Sequence, residues 1–548
     1  MEAPSRTAVD PAPPLVGYDV FAGDRALVEA VGRHLPAELL DGAREELRAL
    51  GRASGSERVR VWGERANAFP PRLRTHDGDG RRIDEVDFPP AWHRLLGEAV
   101  AAGLTDAWDR PGGHVRRAAG FLVATQAEAG IGCPVSMTHA AVPALRAEPE
   151  VAAVWEPLAV SRVYERELRP VASKAGALLG TGLTERQGGA GVRATTPTAR
   201  PLADDGAYLL TGRRWFCSAP MSDAFLVLAR APGGLTCFLV PRVLDDGSRN
   251  AFPIQRLEHE PGNHSNPTVE VEFDGTTWAR RIGEEGRGAR TVRGMVAATR
   301  LDRVLGSAAL MRQAVARAVH HASYRSASGG PLVDEPLTRN VLADLAVESE
   351  AATVLGMRLA AAYDSADAGS ERERALLRIA VPAATYWVSK RCVPVVAEAW
   401  ECLGADGYVE ESGLPRLLRE SPLYSVAAGS GNGQALDVLR VLRTEPAALD
   451  AYLREVGDAR GADPRLDRAI RGVLTELADL EGVEARARRL AERMALVLQG
   501  ALLVRWAPPE VADAFCAGRL GGDSGAAFGT LPPTLDLRAV VERARPVA

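Results

Sequence analysis

The spacing of apolar residues changes twice along the chain, first from a helical to a strand period and then back. In Asp24–Ala175 apolar positions recur at three- and four-residue intervals, most clearly in Leu39–Leu50 and His93–Ala102, and this period predicts helices. Between those two segments lies the polar run Thr75–Arg82, whose Asp-Gly steps predict a turn that links two extended segments. The first part of the chain is therefore expected to be helical, after a proline-rich extended arm at residues 1–20.

The period then shortens to that of strands. Apolar and polar residues alternate strictly in Thr268–Phe273, and short apolar runs occur at Tyr208–Thr211, Ala224–Ala229 and Cys237–Val240. Short strands at close spacing predict a small antiparallel barrel. Beyond Arg287 the helical period returns, with three segments long enough for a helical bundle: Met295–Tyr324, Leu342–Tyr363 and Glu373–Leu403.

A break at Pro446 and Gly457–Pro464 precedes a last helical unit, expected over about Arg465–Leu503. We therefore predict a mainly α fold with a central β domain. Four domains are expected: an arm and helical domain at 1–175, a β-barrel at 176–286, a helical bundle at 287–443 and an additional helical domain at 444–548.

Composition narrows the function classes without choosing among them. The net charge of −5 gives no general reason to expect nucleic acid or an anionic membrane as partner. The six cysteines form no C-x-x-C pair and the nine histidines show no zinc-site spacing, so we expect reduced thiols and no metal. With no 18-residue apolar run and no signal-peptide pattern near Met1, a cytoplasmic protein without membrane contact is expected.

Two motifs suggest a more specific chemistry. The first is Gly182-Leu183-Thr184-Glu185-Arg186-Gln187-Gly188-Gly189-Ala190-Gly191, followed further along by Arg214-Trp215-Phe216-Cys217-Ser218. The second is Glu401-x-x-Gly404-Ala405-x-Gly407-Tyr408-x-x-Glu411, which continues to Arg416 and Glu420. Taken alone, a glycine-rich loop is weak evidence, because an ordinary β-turn has the same composition.

Together with Gly262-Asn263-x-Ser265-Asn266 and Gly429-Ser430-Gly431-Asn432, these motifs make the chain resemble the acyl-CoA dehydrogenase superfamily, and most closely its AidB branch. The resemblance implies an N-terminal helical domain, a middle antiparallel β-barrel and a C-terminal four-helix bundle. Residues past Arg443 would form an extra helical unit, which also fits the AidB branch.

The resemblance also implies FAD as cofactor. Thr184 would hydrogen-bond the edge of the flavin ring, Trp215 would pack beside the ring, and Arg325 would grip the FAD pyrophosphate across a subunit interface. Without the resemblance, Trp215 would be a core residue and Arg325 a solvated charge at a helix end. The expected cofactor-binding residues are Leu183, Thr184, Gly188, Gly189, Ala190, Trp215, Cys217, Ser218, Arg325, Gly404, Gly407, Gly429, Ser430 and Asn432.

The sequence departs from the family where the catalytic base is expected. Ala428 stands at the position of the glutamate that removes the α-proton in the dehydrogenases, and Ala427 replaces the aromatic residue before it. One branch of the superfamily places its base on a middle helix, and Asp302 is the candidate catalytic residue there. The alternative, which the local sequence favours, is a helix-surface aspartate paired with an arginine one turn away.

Three functions remain open. The first is a FAD-dependent oxidoreductase that acts on a non-standard small-molecule or thioester substrate, or that uses oxygen. The second is a DNA-binding damage-response protein, as the AidB branch implies. Residues 444–548 argue against it, because they hold 14 arginines and no lysine against 16 acidic residues. The third is a degenerate scaffold that no longer holds FAD well. The family implies a homo-oligomer, most often a tetramer.

Overall fold

The computed structural model describes residues 12–187, 194–204, 206–327, 330–427, 429–479 and 481–547. Helices dominate both ends, and a β-barrel lies between them, as the change of period predicts. Within these ranges, no helix is both long and apolar enough to cross a membrane.

The N-terminal part is helical with one hairpin. The polar run predicted as a turn joins two strands in antiparallel register, with Leu73 opposite Val86. Side-chain caps begin two of the helices: Asp24 accepts from the Leu27 amide and Ser56 accepts from the Val59 amide. The elements are α1 (Arg25–His34), α2 (Ala37–Ser54), α3 (Glu57–Ala68), β1 (Arg72–His76), β2 (Arg82–Asp87), α4 (Pro90–Ala101), α5 (Gly113–Ala127), α6 (Gly132–Leu145) and α7 (Pro149–Ala159).

The middle part is a barrel. Its strands are β3 (Leu179–Gly182), β4 (Thr198–Pro201), β5 (Ala207–Ser218), β6 (Ala224–Ala231), β7 (Gly234–Pro241), β8 (Ile254–Leu257) and β9 (Thr268–Ile282). Pairing runs β6-β4-β5-β9-β7 and returns to β6, which closes the ring. The predicted central β domain is confirmed, and its strands pair antiparallel except that β3 and β4 each pair with β6 in parallel.

The bundle is built from three long helices, as predicted, and each begins before the predicted segment. They are α9 (Arg293–Tyr324), α10 (Pro336–Asp367) and α11 (Glu371–Glu401). Shorter elements complete this part: α8 (Gly288–Thr291), β10 (Ser326–Ala327), β11 (Gly330–Pro331), α12 (Leu414–Glu420), α13 (Leu423–Val426) and α14 (Gly431–Thr444).

The final part is also helical, with α15 (Pro446–Gly457), α16 (Pro464–Ala478), α17 (Val483–Trp506), α18 (Pro509–Phe515) and α19 (Leu537–Ala544). The unit predicted over Arg465–Leu503 is two helices, because Gly482 adopts φ +60° between them. Buried ion pairs tie this part to α10, notably Arg519 Nε with Glu348 at 2.6 Å and Arg543 with Glu350 at 2.9 Å. The tail is thus packed onto the bundle.

Candidate functional site

A buried ion pair holds the two ends of the glycine-rich segment. Arg214 is fully buried on β5 and donates from Nη1 to Glu185 at 2.6 Å. Glu185 in turn accepts from the Thr196 amide and from the Thr196 hydroxyl at 2.6 Å. Because charge-assisted hydrogen bonds in a buried setting are strong, this network fixes both flanks of the loop. Gly188, Gly189 and Ala190 themselves lie outside the described residues.

A β-bulge on β5 decides which side chains face out of the barrel. Arg214 pairs with Val271 and Cys217 pairs with Val269, so one extra residue is inserted between them, and Phe216 adopts φ +61°. The bulge leaves Trp215 and Ser218 partly exposed on the outer face and turns Cys217 inward. Cys217 is buried against Gly182, and burial raises the pKa of its thiol to about 12. Any contact between Cys217 and a cofactor would therefore use its backbone.

Trp215 is held in place from three directions. Its backbone amide donates to the Thr184 carbonyl at 3.0 Å, and its indole N–H donates to Glu258 at 2.8 Å. The Arg186 guanidinium lies 5.5 Å from the centre of the ring. Thr184 beside it is exposed and Leu183 is half-buried. Thr184 and Trp215 of the predicted site are thus in contact, whereas Cys217 points into the barrel.

Arg325 and the Gly404 turn occupy a second location. Arg325 directly follows the last residue of α9, and the turn is a short 3₁₀ helix over Gly404–Tyr408. His321, one turn before Arg325, interacts electrostatically with both Arg325 and Asp406, so the two predicted motifs are neighbours. Within the described ranges the Arg325 guanidinium has no ion pair or hydrogen bond, which leaves it available for an anionic group.

The two glycines of this turn have different structural requirements. Gly404 adopts φ +59° with open space around the position of a Cβ. Gly407 is buried, and a Cβ there would collide with the Trp400 carbonyl oxygen. Gly404 is thus selected by backbone conformation and Gly407 by packing.

Gly429, Ser430 and Asn432 lie at the start of α14. Ser430 is the residue before its first turn, and the Gln434 side-chain amide donates to the Gly429 carbonyl at 3.2 Å. Ser430 and Asn432 are exposed. Ala428, at the family's glutamate position, lies outside the described residues.

Asp302 lies in a buried ion pair. It is 3% exposed on α9, and its two oxygens accept from Arg117 of α5 at 2.6 and 2.8 Å. Arg117 is equally buried and also donates to the Leu104 carbonyl. The expectation of a surface aspartate paired within its own helix is therefore wrong. A base at Asp302 would first have to release an arginine that occupies both of its oxygens.

The neighbouring residue Arg303 faces a different group of side chains. Its guanidinium interacts with Cys133 at the start of α6 and with Tyr424 of α13, and the Cys133 thiol contacts the Ser218 hydroxyl. Burial raises the pKa of Cys133 to about 11 and the pKa of Tyr424 well above its ordinary value, so both groups are neutral at pH 7. Elements of the helical domain, the barrel and the bundle thus meet around Cys133.

A buried carboxyl group borders this meeting point. Glu420 ends α12, is 5% exposed, and accepts from the Asn263 backbone amide at 2.6 Å. Burial, with Glu128 nearby, raises the pKa of Glu420 to about 7. Its other oxygen has no hydrogen-bond partner among the described residues. Glu420 was expected only as part of a motif, and the sequence analysis did not predict Arg303, Tyr424 or Arg117 as site residues.

Three known protein domains match the chain, in the same order as its helical part, its barrel and its bundle. Residues 11–166 match the adaptive response protein AidB N-terminal domain. Residues 180–276 match the acyl-CoA dehydrogenase middle domain, and residues 286–442 match the acyl-CoA dehydrogenase C-terminal domain.

Individual relatives agree with that division. AidB of Escherichia coli (strain K12) is 41% identical over 514 residues, 92% of each chain. Caenorhabditis elegans ACDH-11, solved in complex with C11-CoA, is 25% identical with a TM-score of 0.85 and covers 95% of this chain and 94% of its own. The Bacillus anthracis acyl-CoA dehydrogenase complexed with FAD shares the fold at 18% identity and a TM-score of 0.61, over 83% of this chain and 79% of its own. The chain therefore belongs to the acyl-CoA dehydrogenase family, in its AidB branch.

Proposed function

We propose that this protein is a FAD-dependent oxidoreductase that acts on a substrate other than short straight-chain acyl-CoA thioesters. The observation that carries the proposal is the outer face of β5, where the bulge presents Trp215 and Ser218 beside exposed Thr184. These residues fit a planar, partly polar ring, because an indole supplies a stacking surface and two hydroxyls supply hydrogen bonds. FAD bound along this edge would accept the hydride removed from the substrate.

Arg325 and the Gly404 turn support a second contact with FAD, made across a subunit interface. The Arg325 guanidinium makes no ion pair or hydrogen bond with the described residues, which suits a diphosphate, and Gly404 leaves room for close approach. Large apolar side chains are exposed around them: Tyr324 is 58% exposed, Leu337 83% and Tyr408 78%. Such a patch is typical of a surface covered by another chain. We propose a homo-oligomer, most simply a tetramer.

Proton removal is the step that this chain must perform differently from its relatives. Alanine at position 428 carries no proton, and losing a general base typically costs about 10²–10⁴ in rate. Asp302 stays the candidate replacement, and it would have to leave its ion pair with Arg117 before it could accept a proton. Alanines at 427 and 428, where the family has an aromatic residue and a glutamate, would also leave space for a bulkier substrate or for oxygen.

The chemistry can be tested with the flavin-loaded protein and butyryl-CoA. Wild type should reduce its flavin slowly, and Ala428→Glu should raise that rate by restoring a carboxylate. Asp302→Asn should abolish the remaining rate if Asp302 has become the base. Rapid reduction by wild type that Asp302→Asn leaves unchanged would contradict the proposal and require another base.

DNA binding by the C-terminal residues is expected to be weak. The four closely spaced arginines of α17 are already engaged: Arg489 and Arg493 pair with Glu476, Arg488 donates to the Tyr386 hydroxyl, and Arg486 donates to backbone carbonyls. A phosphate backbone needs several free cations on one face. A steeply salt-dependent affinity for duplex DNA, lost on deletion of residues 444–548, would overturn this expectation.

A further inference from the structure

Arg303 is a cation in the candidate site that no described residue pairs with. It makes no hydrogen bond or ion pair with any residue that the structure describes, and its Nε is buried without a partner. The other partly or fully buried arginines of α9 are all engaged: Arg300 with Asp437, Arg312 with Asp24, and Arg317 with the Ser412 carbonyl. Arg303 is thus the exception on its own helix.

The acidic groups around Arg303 do not neutralise it. Asp302 precedes it, but both Asp302 oxygens are committed to Arg117. Glu420 lies near Tyr424, but it faces Glu128, Glu260, Arg416 and the Asn263 amide. The family's glutamate would add a carboxylate four residues after Tyr424, and Ala428 brings none. A partly desolvated guanidinium without an anion is costly, so a ligand that supplies one gains free energy.

A second donor is built into the same place. Tyr424 is 6% exposed, and its ring packs over Gly306, where a Cβ would come within 2.5 Å of the Tyr424 Cζ. The hydroxyl lies 3.9 Å from the position of a Cβ on Gly132. Among the described residues no hydrogen bond of this hydroxyl is found, and burial keeps it protonated by raising its pKa. Glycine at 306 thus fixes a phenol that can donate one hydrogen bond.

We propose that Arg303 and Tyr424 recognise a carboxylate carried by the acyl part of the substrate. A guanidinium fork with a neighbouring hydroxyl matches the two oxygens of a carboxylate. The proposal rests on the proposed function, because it assumes that the substrate enters between Ser218 of β5 and α9. It narrows the substrate class to acyl thioesters with a second acid group. A phosphate of CoA is the other anion that a thioester could offer, and the experiment below separates the two.

The test is calorimetric titration of the full-length protein with matched thioesters. Succinyl-, glutaryl- and adipyl-CoA are compared with butyryl-, valeryl- and hexanoyl-CoA, so that each pair differs only in a terminal carboxylate or methyl. Wild type should bind at least one acid-ended member about tenfold or more tightly than its partner, since a charge-assisted pair contributes more than about 1.4 kcal/mol. Free CoA is titrated alongside.

Variants assign that preference to the two residues. Arg303→Met should abolish it while leaving the affinity for the methyl-ended thioester unchanged, Arg303→Lys should retain part of it, and Tyr424→Phe should reduce it several-fold. Arg293→Met, at an exposed arginine on the same helix, is the matched control and should change nothing. If Arg303→Met does not fold, as judged by thermal unfolding, Arg303→Lys and Tyr424→Phe still decide the question.

Three results would overturn the proposal: no preference in wild type, a preference that survives Arg303→Met, or an equal loss of free CoA affinity in Arg303→Met, which would assign the arginine to a CoA phosphate. Failure of the proposed function would give a different result: the visible spectrum would show that the protein cannot be loaded with FAD. Titration of the apoprotein measures the carboxylate preference whether or not FAD binds.

Discussion

The barrel face and the bundle face of the candidate site differ in how their charged side chains are paired. On the barrel face, Glu185, Thr196 and Arg214 form a closed hydrogen-bond network, and Trp215 is fixed by Glu258 and Thr184. On the bundle face, Arg117 neutralises Asp302. The next residue, Arg303, has no partner among the described residues. The charged groups of the barrel face are thus paired within the protein, whereas the bundle face holds a guanidinium that no described residue pairs with.

The largest expected effect comes from the bundle face. Arg117→Leu would leave Asp302 buried without its partner, and breaking such a pair typically costs about 3–5 kcal/mol. The free energy of unfolding, measured by chemical denaturation, should fall by that amount, while the folded fraction still binds FAD on the barrel face. Arg116→Leu, at the adjacent and half-buried arginine, should cost less than about 1 kcal/mol. Equal losses in the two variants would contradict a structural role for the buried pair.

The free energy of unfolding should depend on pH because of Glu420. Its pKa in the folded protein is about 7, above the ordinary value of 4.5, so folding favours the protonated form. The stabilisation is complete below about pH 4.5 and is lost as the pH rises through 7. Glu420→Gln should therefore match wild type near pH 5 and exceed its free energy of unfolding at pH 8 by up to about 3 kcal/mol.

Urea denaturation of both proteins across this pH range checks the effect of Glu420. Glu410→Gln serves as the control, since pairing with Arg419 lowers the pKa of that exposed carboxyl and the sign should reverse. If wild type and Glu420→Gln kept the same difference at pH 5 and pH 8, Glu420 would not titrate in this range.

The smallest expected change in the free energy of unfolding comes from a substitution on the barrel face. Thr196→Val removes the hydroxyl that donates to Glu185 but leaves the Arg214 pair intact, so the loss should be about 1 kcal/mol. Because this bond holds one flank of the glycine-rich loop, FAD affinity should fall a few-fold, measured by flavin fluorescence. Thr198→Val, at an exposed threonine on β4, should leave both quantities unchanged. A large loss of FAD binding without loss of stability would assign Thr196 a direct contact with FAD.

The architecture could be predicted from sequence because each part has one dominant period. The three long helices and the hairpin at Thr75–Arg82 were expected, and the structure contains them. Two features could not be predicted. The break at Gly482 lies inside an otherwise continuous helical pattern, and the parallel pairing of β3 with β6 depends on contacts between distant residues.

The candidate site was predictable only where motifs are local. Trp215 and Thr184 contact each other through a backbone hydrogen bond, but the inward turn of Cys217 depends on a bulge set by the register with β9. Asp302 and Arg303 are adjacent in sequence and about 100° apart around α9, so a residue pattern cannot say which of them meets Arg117 of a distant helix. Contacts between residues that are distant in sequence therefore decide which charged side chains of the bundle face are paired.

We propose that the edge of the barrel at Thr184 and Trp215 binds FAD. The most direct measurement is the visible absorption spectrum of the purified protein, before and after incubation with FAD and removal of the unbound cofactor. We predict a bound flavin spectrum that reaches one FAD per chain on reconstitution, even if the isolated protein is only partly loaded. A colourless protein that retains no FAD after reconstitution would contradict this account.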